Sequence, residues 1–197
     1  MATLNFPTIP NPDSESWTIT YNSQTFTSDL NGAIQTAELP GARWSASLTF
    51  TNRTGIEVRR LRGFLAALRG SAGRMYVTPS DATVEGAASA NGSVSANVAA
   101  GATEIDATGF SAGGDVPLLA GDYFELNGEL KIVTQDMSGD TINFAPPLRK
   151  DVTSGMTVRI IEPRAVMMLT DDGQASWQVS APIIYGITFD VVEALDI

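Results

Sequence analysis

Alternation of apolar and polar residues begins early, where Trp17, Ile19 and Tyr21 interleave with Ser16, Thr18 and Thr20. It is cleaner in RWSASLTF, residues 43–50, in which Trp44, Ala46, Leu48 and Phe50 face one way and Arg43, Ser45, Ser47 and Thr49 the other. A period of two belongs to strands with one buried face. Between these segments LPGAR, residues 39–43, predicts a Pro-Gly turn that folds a strand over residues 34–38 back onto the one after Arg43.

The period then changes. Val58, Leu61, Leu65 and Leu68 recur at helical spacing with Phe64 beside them, and Thr54 with Glu57 forms a capping box while Gly70 stands at a left-handed C-cap. This predicts an amphipathic helix over residues 54–70. Arg59, Arg62 and Arg69 fall on one flank of it and Arg60 lies farther round. Glu57 is the only acid there, so the arginines have no carboxylate one turn away. Their partners are water, another part of the fold or another chain.

RMYVTPS reads as a strand ending at Pro79, after which residues 85–102, rich in Ala, Ser and Gly, read as a flexible connection. Short strands follow in TEIDATG, YFEL, ELKIVTQ, TINFA and MTVRIIE. Asn127-Gly128 is the signal for a two-residue hairpin turn. Simple registry there sets Phe124 opposite Lys131 and Glu125 opposite Leu130, which implies a bulge or burial on both faces. With further turns at MSGD and PPLRK, this stretch predicts a small barrel or sandwich. Long strands then return. Trp177 and Val179 alternate, Tyr185, Ile187, Phe189 and Val191 share a face, and Met167 and Met168 are assigned to the core.

The pattern as a whole is mainly β. It predicts a discontinuous β-sandwich belt domain, residues 1–82 and 161–197, with one packed helix, and an inserted small β-barrel-like domain, residues 83–160, with the small-residue connection at its start. Trp17, Trp44, Phe64, Leu65, Trp177, Tyr185 and Phe189 are the expected core anchors.

Charge narrows the function. The net charge is −10, with 7 basic and 5 acidic groups in residues 1–80 against 5 basic and 17 acidic afterwards. This argues against general nucleic-acid affinity, which rests on phosphate neutralisation by Lys and Arg. Neither Cys nor His occurs, which excludes disulfides, thiolate and histidine triads and nearly every zinc site. No apolar run of membrane-spanning length and no leader pattern is present, so a soluble chain without a membrane anchor is expected.

Carboxylates remain as candidate chemistry. A glycosidase needs two of them facing across a cleft, whereas Glu125, Glu129, Asp171 and Asp172 fall in hairpins and turns. Asp136 and Asp140 in DMSGD and the Asp pair in TDDG lack the alternating ligands of a calcium loop. No catalytic residue, metal ligand or cofactor is therefore assigned. A sugar platform in the insert would have to use Phe110, Tyr123, Phe124 and Phe144, which in a barrel this small more often form its core.

LPGARWSASLTF, a helix ending GFLAALRGSAGRMYV, AGDYFELNGELKIVTQD with FAPPLR, then PRAVMML and a closing VVEAL occur in that order. So ordered, they resemble the distal tail (tail hub) proteins of long-tailed bacteriophages over roughly residues 30 to 197. The resemblance implies a ring, usually a hexamer, that joins the tail tube to the tail-tip apparatus, with a β-sandwich belt and a projecting insert. Implied partners are further copies of the chain, the tail tube protein and tip hub or fibre proteins. DNA would pass through the channel without specific binding. The implied location is the virion tail tip, assembled in the host cytoplasm. In such a ring Arg59, Arg62 and Arg69, with Arg60, would meet carboxylates of a neighbouring subunit or stacked ring, since head-to-tail contacts close rings. The rival reading is a carbohydrate-binding or adhesion module, and a carboxylate glycosidase comes third.

Overall fold

The structure, a computed structural model, describes residues 3–7, 11–53, 55–174, 176–180 and 184–194, without the side chains of Trp177, Ser180, Ile184 and Tyr185. Strands β1 (Thr3–Asn5), β2 (Ser14–Thr27) and β3 (Ile34–Arg53) precede helix α1 (Gly55–Leu68), a 3-10 turn over Gly70–Ala72 and β4 (Arg74–Val77). Next come β5 (Gly92–Val94), β6 (Glu104–Thr108), β7 (Tyr123–Leu126), β8 (Glu129–Ser138), β9 (Thr141–Ala145) and β10 (Thr157–Arg159). The chain closes with β11 (Ala165–Leu169), β12 (Trp177–Ser180) and β13 (Ile184–Glu193).

Strands from the two ends of the chain form one sheet in the order β1-β4-β11-β13-β3-β2, with β12 on the first half of β13. The period-two rows converge on one face. Trp44, Ala46, Leu48 and Phe50 of β3 lie with Ile187, Phe189 and Val191 of β13 and with Ala165, Met167 and Leu169 of β11. Leu61, Leu65 and Leu68 of α1 pack on this face, so the helix supplies the layer opposite the sheet. Phe64 meets Phe6 edge-on, with ring centroids 5.2 Å apart. After Leu68 the backbone turns left-handed at Arg69 and Gly70, ending the helix as the glycine there predicts. Thr54, the proposed cap, lies outside the described residues. Met168, unlike Met167, is only half-buried.

The remaining strands close a barrel in the order β10-β5-β6-β9-β8-β7. Closure removes the free edges that strands this short would otherwise expose. Phe110, Phe124 and Phe144 are buried in its core with Val94, Ile105, Leu126 and Val158.

Two expectations change form. LPGAR is not a turn: β3 runs straight through it, and the chain reverses at residues 28–33, where Gly32 is left-handed and Ala33 N–H donates to Asn31 Oδ1 at 3.0 Å. Pro40 and Gly41 instead form a bulge, because β2 advances from Thr20 to Asn22 while β3 retreats from Arg43 to Leu39. Nor are residues 85–102 a flexible connection. Val94 is in the barrel core, and the N–H groups of Ala87 and Ala88 donate to the carbonyls of Val116 and Pro117 at 2.9 and 3.0 Å. Small residues are used here for close approach rather than for slack. A β-carbon at Gly86 would overlap the Pro117 carbonyl, and one at Gly92 would lie 2.5 Å from the Phe110 ring. Gly86→Ala is therefore expected to cost about 1–3 kcal/mol in denaturant unfolding, the usual penalty of overpacking.

The β7–β8 hairpin keeps its expected form. Asn127 and Gly128 both take positive φ, and Phe124 does pair with Lys131 and Glu125 with Leu130. No bulge is needed because both faces are buried. Phe124, Leu126 and Val133 fill the barrel, while Leu130, Tyr123 and Ile132 pack against the sheet core.

Candidate interaction surfaces and the sheet–barrel junction

Arg59 and Arg60 are exposed on α1, and Arg69 is exposed one residue beyond it. The left-handed backbone takes Arg69 off the helical spiral, so the predicted flank is shared between the helix and its exit. Arg62 is half-buried and makes an interaction within the chain. The side chains of Arg59, Arg60 and Arg69 have no partner among the described residues.

Of the expected anchors, Trp44, Leu65 and Phe189 are buried, whereas Trp17 and Phe64 are half-buried. Trp177 and Tyr185 occupy β12 and β13, with their side chains outside the described residues. Trp44 does more than fill space. Its indole Nε1–H donates to the Leu130 carbonyl at 2.9 Å, tying the sheet to the barrel. Trp17 and Tyr123 flank it at centroid distances of 6.1 and 5.9 Å.

Beside Trp44 runs a chain of alternating charge. Lys131 Nζ donates to Glu129 Oε2 at 2.7 Å and to the Pro147 carbonyl at 2.9 Å. The same Glu129 oxygen accepts Arg149 N–H at 3.2 Å. Arg149 then reaches across to Glu193 of the sheet with Nη2–Oε1 at 2.9 Å and Nη1–Oε2 at 2.8 Å. Glu193 also accepts the Trp44 backbone N–H at 3.2 Å. Lys131 and Glu193 are both fully buried. Burial pushes the Lys131 ammonium below its usual range, and Glu129 offsets part of this. Burial also opposes the charge on Arg149, but the Glu193 bond and charge outweigh it and the guanidinium holds its proton more tightly than usual. Buried charges persist when paired and hydrogen-bonded.

The carboxylates considered for catalysis are occupied in the same way. Glu125 accepts the Arg164 N–H and Nε–H at 3.2 and 3.3 Å, and Arg159 Nε lies 3.8 Å away. Asp172 accepts the Ser71 N–H and hydroxyl at 2.9 and 2.8 Å, which holds its carboxyl below the usual range, and Asp171 accepts the Gly173 N–H at 2.7 Å. Asp136 accepts the Ala120 N–H at 2.9 Å. Among the described residues no group of three or more acidic side chains is placed to hold a metal ion. No described helix is long and apolar enough to cross a membrane.

Sequence reading missed Glu193, Lys131 and Asp122 as structural groups. Asp122 is buried and accepts N–H groups from Glu85, Gly86 and Leu119 at 2.8, 3.2 and 2.8 Å, pinning the start of the insert. A signal for Glu193 was present, since it continues the core-facing row of Ile187, Phe189 and Val191.

A further surface, not expected from the sequence, is an arm. Among the described residues, 22–27 of β2 and 34–39 of β3 pair only with each other, beyond the sheet. Tyr21, Phe26, Leu30 and Ile34 are 51%, 58%, 99% and 67% exposed there, so the arm buries little against its own chain.

No protein-family model matches the chain, and no curated protein matches its sequence.

Proposed function

We propose that this protein is a structural, non-catalytic subunit of a ring, hexameric by the resemblance, at the distal end of a phage tail. There it joins the tail tube to the tip apparatus and leaves a channel for DNA. The observation that carries this reading is the arm. A lone two-stranded hairpin is marginal in water, and a row of exposed aromatic and aliphatic residues along it calls for cover by another molecule. An arm reaching from one subunit onto a different surface of the next is a head-to-tail contact, the kind that closes rings. The acidic excess of the second part of the chain suits a passage along which DNA slides without fixed cations to hold it.

Light scattering of the purified chain over a range of concentration, at low and moderate salt, tests the proposal. The expected result is a closed oligomer of uniform mass. A monomer throughout would overturn self-assembly of rings and raise the standing of the carbohydrate-binding reading. That reading is weakened by the burial of Phe110, Phe124 and Phe144 inside the barrel.

A further inference from the structure

At the sheet–barrel junction Glu15, Trp17, Ser80, Asp81 and Tyr123 line an open recess of about 480 Å³. It brings two half-buried aromatic side chains together with two carboxylates. Glu15 Oε1 is fixed by the Ser80 N–H at 2.6 Å. Burial, then the charges of Asp81 and Glu15, make the Tyr123 phenol harder to ionise, in keeping with negative potential in the recess. Aromatic faces and carboxylates together favour a cation, above all the planar guanidinium of arginine, which stacks on rings and forks onto carboxylates.

We infer that the recess receives an arginine from the α1 flank of a second copy of this chain. The argument is complementarity: Arg59, Arg60 and Arg69 are exposed cations whose side chains have no partner among the described residues, and the described lining of the recess is acidic and aromatic and contains no cation. The recess is bordered by β2, the last strand at one end of the sheet among the described residues, whereas the arginines lie on and just beyond the helix. The two surfaces are therefore distinct, as a head-to-tail contact requires. This inference rests on the ring reading and names one of its contacts.

Charge reversal tests it in the full-length chain. One variant carries Arg59→Glu, Arg60→Glu and Arg69→Glu, and the other carries Glu15→Lys and Asp81→Lys. Each alone sets like charges against each other and is expected to remain monomeric at low salt. Mixed in equal amounts, they are expected to assemble, because every contact around an alternating ring pairs opposite charges. Assembly of either variant alone like the wild type, or failure of the mixture while the wild type assembles, overturns the arginine contact and leaves the ring reading standing.

A second measurement does not depend on rings. Titration with arginine ethyl ester, followed by intrinsic fluorescence, is expected to give a saturable change that is lost in Glu15→Gln/Asp81→Asn. With a wild type that stays monomeric, that result upholds the cation site and sinks ring formation. A response to a neutral saccharide but not to the arginine ester, or no response to either, overturns the inference.

Discussion

Glu129→Ala is expected to lower the unfolding free energy by about 3–5 kcal/mol, the cost of leaving a buried charge without its partner. The variant strips the fully buried Lys131 ammonium of its carboxylate and leaves it, among the described residues, the Pro147 carbonyl as hydrogen-bond acceptor and the Phe144 ring 5.9 Å away. It also removes the acceptor of the Arg149 N–H, and so loosens the segment that carries the bridge to Glu193. The deficit has a definite pH dependence. Burial already holds Lys131 below its ordinary value of 10.5, and without Glu129 nothing of comparable strength opposes that shift. Between the folded and unfolded pKa the unfolded chain binds the additional proton, so stability rises with pH. The difference between Glu129→Ala and wild type therefore shrinks as alkaline pH is approached, which urea titrations at several pH values would show. Replacing the pair together, by Glu129→Leu and Lys131→Met, removes both charges and is expected to recover most of the loss. A loss below about 1 kcal/mol in the single variant, independent of pH, would mean that water reaches Lys131.

Periodicity revealed what repeats along the chain and missed what depends on distant partners. The rows from Trp44 to Phe50 and from Ile187 to Val191, the leucines of α1 and the Asn127-Gly128 hairpin were legible because each follows from local spacing. LPGAR misled because a Pro-Gly pair serves a bulge as readily as a turn. The reversal signal at Asn31-Gly32 lay nine residues upstream of Pro40 and Gly41 in a segment with little apolar pattern. Residues 85–102 misled for a related reason: small side chains are common to linkers and to tight packing. Only Pro117 and Phe110, far along the chain, decide between the two. The charge chain was illegible in the same sense, since Arg149 links Glu129 and Lys131 to Glu193 only after the barrel is docked on the sheet. Local rules could place an acid in a strand. They could not say that an arginine would face it.

Shortening the arm is expected to abolish assembly while leaving the fold intact. Asn22 and Leu39 are directly paired, so residues 23–38 can be replaced by Asn-Gly, a two-residue loop that suits the twist of the flanking strands. The replacement keeps the bulge at Pro40 and Gly41 and the bond from Asn22 Nδ2 to the Pro40 carbonyl at 3.0 Å. It removes Phe26, Leu30 and Ile34, none of which belongs to either core. Thermal unfolding should consequently change by only a few degrees, because the deleted segment buries little surface and closes a shorter loop. The solution mass, in contrast, should fall to that of a single chain under conditions in which the wild type forms a closed oligomer. Oligomers of unchanged mass would assign ring closure to other surfaces and leave the arm for a different tail protein. A large loss of thermal stability would show that the arm supports its own subunit, contrary to the exposure of its side chains.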